Sequence, residues 1–147
     1  MRNPVSTNVP NIKALRLLPD SFTTWSLTNQ VGRVAGWGST GTVVSSEILY
    51  QTTMTIDNRF CQGLSVFNPD SQLCLMGVSG SDICSGDSGT PLSLDAGGFR
   101  YLVGVISRNL DCSGRNPTFA GFVSYYYKWI VDTIAEYGGS NDAQYGV

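Results

Sequence analysis

Cys84-Ser85-Gly86-Asp87-Ser88-Gly89-Thr90-Pro91-Leu92 is the stretch on which the reading of this chain turns. Taken alone, Gly86-Asp87-Ser88-Gly89 is turn chemistry: two residues without a Cβ bracket an aspartate and a serine, both of which favour tight bends. It closes a longer loop, residues 77–89, which reads Gly-Val-Ser-Gly-Ser-Asp-Ile-Cys-Ser-Gly-Asp-Ser-Gly. An isolated match of four residues is better read as a surface loop than as a chemical site. The sequence on either side decides between the two.

Downstream, Pro91–Leu94 and Tyr101–Ser107 read as strands, with a third near Phe119–Val123. Upstream, Gln72–Met76 reads as a strand ended by Gly77. Before it, Ile48, Tyr50, Thr52, Met54 and Ile56 alternate with Leu49, Gln51, Thr53 and Thr55, the period of a half-buried strand. Arg33-Val34-Ala35-Gly36-Trp37-Gly38 is a short strand running into a glycine-bounded turn, and Asn58–Leu64 is one helical turn carrying Cys61. Ser124 is expected to N-cap the one clear helix. In that helix Tyr126, Trp129, Ile130, Thr133, Ile134 and Tyr137 fall on a single face. Many short strands followed by one terminal helix point to an all-β antiparallel barrel.

Composition narrows the class. The 147 residues are 41% hydrophobic and 14% charged, which supports a packed core, and 17 glycines favour a turn-rich β protein. The formal net charge is -2 and the basic residues are scattered singly, so no nucleic-acid partner is expected. No apolar run reaches the ~18 residues that a membrane span needs. The first ten residues, MRNPVSTNVP, lack the apolar stretch of a signal peptide. Against that stand four cysteines, Cys61, Cys74, Cys84 and Cys112, with no C-x-x-C pair and no histidine. Their spacing suits two disulfides in an oxidising compartment better than a zinc site. With no metal-ligand cluster and no phosphate-binding loop in the sequence, no metal or other cofactor is expected.

The loop around Ser88 resembles the nucleophile loop of the chymotrypsin/trypsin family of serine endopeptidases, C-x-G-D-S-G-G-P. Three further landmarks stand in the right order: Gly36-Trp37-Gly38, Gly104-Val105-Ile106-Ser107 and the Trp129-Ile130 helix. The resemblance implies that residues 31–137 form the second six-stranded barrel and terminal helix of a double-barrel peptidase. Residues 1–30 would be the connection into it and the first barrel would be missing, while residues 138–147, polar in sequence, are expected to be a flexible tail. It pairs Cys61 with Cys74 and Cys84 with Cys112, and it implies a secreted, extracellular protein, monomeric, with a protein or peptide substrate once the first barrel completes it.

By the same resemblance Ser88 is the nucleophile, and the backbone N–H groups of Gly86 and Ser88 form the oxyanion hole. Asp87 is the carboxylate that pairs with the α-ammonium freed on activation. Asp82 falls at the base of the primary specificity pocket, where an aspartate selects substrate Arg or Lys. Thr118 stands on the pocket wall in place of the usual glycine and narrows the slot. Ser107 opens the substrate-binding strand, but Arg108 and Asn109 replace the Trp-Gly that follows it in the family, and Thr90 replaces a glycine. Arg108 is expected to cover the site with its stem.

A serine endopeptidase of this kind needs a histidine as base and an aspartate to orient it. The chain has no histidine. Asn11-Ile12-Lys13-Ala14-Leu15-Arg16-Leu17 faintly resembles the stretch that holds the catalytic aspartate, with Asn11 in its place. That would leave too few residues before Gly36. The better match is the inter-barrel connection, where family members, arthropod ones in particular, read Val-x-Pro-Ile-x-Leu-Pro. The aspartate then falls just ahead of Met1. The expectation is a truncated serine endopeptidase, inactive alone. The alternative is a non-catalytic protease homologue acting as a binding or regulatory module, for which Thr90, Arg108 and Thr118 speak. An unrelated β domain carrying the motif is a remote third.

Overall fold

A computed structural model of the chain describes residues 9–40, 44–78 and 82–137; the first eight residues of the expected connection 1–30, residues 79–81 of the expected loop 77–89 and the tail 138–147 lie outside the described residues. Seven strands are present: β1 (Arg16–Leu17), β2 (Val31–Gly36), β3 (Tyr50–Ile56), β4 (Gln72–Gly77), β5 (Pro91–Ala96), β6 (Phe99–Asn109) and β7 (Thr118–Phe122). Six of them close into an antiparallel ring in the order β6-β5-β2-β3-β4-β7 and back to β6, while β1 lies outside the ring, parallel to β6 at Tyr101–Leu102. The helix α1 (Val123–Tyr137) follows β7 directly.

The ring closes because each strand turns its apolar alternate residues inward. Val34, Met54, Ile56, Leu73, Leu75, Leu92, Val103, Ile106 and Phe122 are all buried in one core. Closure also depends on β6, which is long enough to pair with β5 over its first half and with β7 over its second. Its register with β7 shifts between Ile106 and Arg108, leaving Ser107 as the odd residue. Such a bulge re-aims the groups beside it, and here it lies at the site described below.

A second, smaller cluster sits at one end of the barrel. The Cys61–Cys74 disulfide, with a Cα separation of 6.0 Å, packs with fully buried Phe119, whose ring lies 5.9 Å from that of Phe67. Buried Asn58 ties this corner together: its Oδ1 accepts from Cys74 N–H at 2.8 Å and its Nδ2 donates to the Gln72 carbonyl at 3.3 Å. Beside it Asp57 caps the 3-10 turn Asn58–Cys61 by accepting from Arg59 N–H at 3.0 Å, and it pairs with the Arg59 guanidinium at 2.6 Å.

Two expectations change. Ser124 does not cap the helix; it lies inside α1, buried, and its hydroxyl donates to the carbonyls of Pro19 and Phe22. Its hydroxyl proton is shared between two carbonyls of the connection, so Ser124 pins α1 to residues 19–22. The helix face is also only partly covered, because α1 packs on β6 and β1. Trp129 and Tyr137 stay 66% and 78% exposed. Strand β3 starts at Tyr50 rather than Ile48, since pairing with β2 ends at Gly36↔Tyr50.

The ion pairs set the response to acid. Hydrogen bonding from Arg59 holds the Asp57 carboxyl below its ordinary value against the opposing effect of burial. Arg100 does the same for Asp95, and Ser113 for Asp111. Groups with lowered folded values stabilise the protein above the unfolded value, about 3.9 for Asp, and lose that contribution as pH falls through the folded value. With no histidine to titrate, the melting temperature is expected to be flat from about pH 7 to 5 and to fall below about pH 4. A thermal-melt series across pH checks this. A loss of stability between pH 7 and 5 would contradict it.

Candidate active site

The loop between β4 and β5 is held at both ends of its tip. Asp87 N–H donates to the Cys84 carbonyl at 3.1 Å, while the Asp87 carbonyl accepts from Thr90 N–H at 3.1 Å and from the Thr90 hydroxyl at 2.8 Å. Gly89 N–H then reaches the Ile106 carbonyl at 2.7 Å, and Ile106 N–H the Thr90 carbonyl at 2.9 Å. Thr90, which reads in sequence as a lost glycine, thus closes the turn with its side chain. Between these clamps Ser88 is exposed, and its hydroxyl donates to the carbonyl of Ser107, the bulged residue of β6, at 3.0 Å.

Asp87 sits behind the tip, half-buried. One carboxylate oxygen accepts from Gly38 N–H at 2.8 Å and the other from Cys84 N–H at 3.1 Å. This explains the glycines of Gly36-Trp37-Gly38. A Cβ at Gly36 would lie 2.0 Å from Asp87 Oδ1, and one at Gly38 2.4 Å from the carboxyl carbon. The carboxylate occupies the space that side chains there would take. Asp87 and Asp82 both line a cavity of about 470 Å³ that is also bounded by Gly36, Gly38, Tyr50 and Cys84.

Gly86 adopts φ +98°, a backbone that L side chains rarely take, and a Cβ there would meet Gly38 Cα at 3.1 Å. The N–H groups of Gly86 and Ser88 bond to no group among the described residues.

Of the expected pocket residues, Asp82, Asn109 and Thr118 are brought to the same two facing segments. Asp82 accepts from Ile83 N–H at 2.8 Å, Gly114 N–H at 3.0 Å and the hydroxyl of fully buried Thr118 at 3.2 Å. Asn109 Nδ2 donates to the carbonyls of Ile83 and, at 2.8 Å, Asp111. The Cys84–Cys112 disulfide spans the same two segments with a Cα separation of 5.0 Å. Arg108 does not lie along the site by its stem alone. Its guanidinium donates to the Val66 carbonyl at 2.6 Å and sits 5.0 Å from the Phe119 ring centre. Ser107 contributes its carbonyl rather than its hydroxyl. Gly114, Asp111 and Val66 act here through backbone groups, which side-chain pattern does not reveal. Among the described residues no group of His, Cys, Asp or Glu is placed to hold a metal ion.

A closed antiparallel barrel with a terminal helix, presenting a serine on a clamped Gly-Asp-Ser-Gly loop, defines a barrel of the trypsin type. A family model for trypsin matches residues 7–130, and the chain belongs to that family. It is 36% identical over 110 residues to CLIP domain-containing serine protease B4 of Anopheles gambiae, covering 68% of this chain and 30% of the relative. It is 34% identical over 118 residues to Serine protease grass of Drosophila melanogaster, covering 71% and 30%. It is 30% identical over 115 residues to Inactive CLIP domain-containing serine protease A3 of Aedes aegypti, covering 69% and 24%. The chain thus spans about a third or less of the length of these relatives. Its two disulfides are those of a protein folded in an oxidising environment.

Proposed function

We propose that Ser88 is the nucleophile of a secreted serine endopeptidase whose general base and orienting carboxylate come from outside these 147 residues. The observation that carries this is the tip of the loop: an exposed hydroxyl on a turn clamped at both ends, with the Gly86 and Ser88 N–H groups bonded to nothing among the described residues. Such donors serve the oxyanion of acyl transfer when they are fixed before the reaction. Asp87 fixes them by holding Gly38 and Cys84, the residues on either side of Gly86 in space and in sequence. In the complete protein Asp87 would be the acceptor for an activating ammonium.

By itself the chain is inert on this reading. A serine hydroxyl is a weak nucleophile without a base, and no histidine is present to take its proton. Its substrates would be proteins or peptides held along Ser107. The test is a chimera in which this chain replaces the matching stretch of the relative from Anopheles gambiae that is 36% identical. A fluorophosphonate probe is expected to label the chimera once, and the Ser88→Ala chimera not at all. A folded chimera that stays unlabelled would sink the proposal. A second reading, a non-catalytic homologue, draws on the Arg108 tie to Val66, which commits a substrate-strand side chain to the protein itself.

A further inference from the structure

Ser88 sits between two peptide units that are both tied down. The unit that follows it is held by the Gly89 N–H, which donates to the Ile106 carbonyl at 2.7 Å. The unit that precedes it is held by the Asp87 carbonyl, and both bonds to that oxygen come from one residue: Thr90 N–H at 3.1 Å and the Thr90 hydroxyl at 2.8 Å. A carbonyl has two acceptor positions, so Thr90 fills both. Thr90 is itself anchored to β6, because its own carbonyl accepts from Ile106 N–H at 2.9 Å. Its side chain is half-buried, with the methyl beside Gly36: a Cβ there would stand 3.5 Å from Thr90 Cγ2. A β-branched side chain confined in this way has little freedom to turn its hydroxyl elsewhere.

We infer that Thr90 is a positioning residue for the Ser88 N–H donor, acting through a hydroxyl at a position where the family loop reads glycine. The reason is the planarity of the peptide. The Asp87 carbonyl and the Ser88 N–H belong to one rigid trans unit and point to opposite sides of it. Two donors that fix the carbonyl therefore fix the direction of the N–H. That N–H bonds to nothing among the described residues, so no acceptor of its own orients it. A glycine at 90 would keep the N–H bond to Asp87 and lose the hydroxyl, leaving the unit freer to swing about the remaining bond. A preset donor assists acyl transfer because it needs no reorganisation when charge develops on the substrate oxygen. The effect of Thr90 then belongs to the reaction step and not to substrate binding.

The inference rests on Ser88 as the nucleophile only for its effect on rate; the orientation of the donor is tested without it. Thr90→Ala and Thr90→Ser both remove the methyl, so the difference between them isolates the hydroxyl. In the full 147-residue chain, NMR relaxation of the Ser88 amide nitrogen is expected to show a rigid N–H, with an order parameter of about 0.85. Thr90→Ala is expected to lower it and Thr90→Ser to restore it. In the chimera, Thr90→Ala is expected to slow the maximal rate of fluorophosphonate labelling about tenfold, about 1.4 kcal/mol of barrier. The probe concentration that gives half that rate should not change, and Thr90→Ser should recover most of the rate. A Ser88 amide equally ordered in all three chains would overturn the inference. So would a rate loss shared by Thr90→Ser, or one that falls on the half-saturating concentration alone. A native chimera that takes no label would remove the nucleophile and leave the relaxation result to decide the donor.

Discussion

Gly38→Ala is expected to release the Ser88 loop. The new Cβ would lie 2.4 Å from the carboxyl group of Asp87, far inside contact distance, and the carboxylate would have to leave. It takes with it the hydrogen bonds to Gly38 N–H and Cys84 N–H. Bonds to a charged acceptor contribute about 1.5–3 kcal/mol each, so the loop loses on the order of 3–6 kcal/mol of local stability. That is comparable with much of a whole domain's margin. Hydrogen exchange should show lost protection at the amides of Gly38, Cys84 and Gly89, with the strands β3 and β4 less affected. Because the damage passes through Asp87, it should be non-additive. Gly38→Ala added to Asp87→Ala should cost little beyond Asp87→Ala alone. Fully additive losses would show that Gly38 matters for some other reason.

Phe119→Ala is expected to have the largest effect on the whole barrel. Phe119 is fully buried on β7, opposite Cys74 on β4, and touches Phe67 and the guanidinium of Arg108. Removing a buried ring of this kind costs about 3–5 kcal/mol, because the cavity left behind does not collapse. The fixed backbone of β4 and β7 and the Cys61–Cys74 disulfide leave little room to close it. Urea unfolding should show the midpoint falling by a large fraction with the slope unchanged. Phe119→Leu, which keeps most of the volume, should cost distinctly less. Equal effects from the two would mean that the ring is not packed as described.

These two sites also show what the sequence discloses and what it withholds. The alternation from Tyr50 to Ile56 announces its strand because one face is buried and the other wet, and that pattern survives without tertiary information. The loop around Ser88 is legible for a different reason. Its chemistry demands particular residues at fixed spacing, and the pairing of Cys84 with Cys112 follows from that resemblance. The role of Gly36 and Gly38 is not local: their need to lack a Cβ comes from Asp87, 49 residues beyond Gly38. Ser124 misleads for the same reason. A serine at the start of a helix reads as a cap, and only the fold brings the Pro19 and Phe22 carbonyls to it. Asn109 stands in sequence as a missing glycine, whereas the barrel gives its amide two carbonyls to bridge. Trp129 and Tyr137 are regularly spaced yet exposed, because periodicity records an apolar face without naming what covers it.

Labelling of Ser88 by a fluorophosphonate probe, read by intact mass on the 147-residue chain and on the chimera, bears most directly on the account. The chain alone should react no faster than an ordinary surface serine, and the chimera should take one adduct that Ser88→Ala abolishes. Rapid, selective labelling of Ser88 in the chain alone would contradict it, since a hydroxyl whose described partner is the Ser107 carbonyl would then be activated without a base.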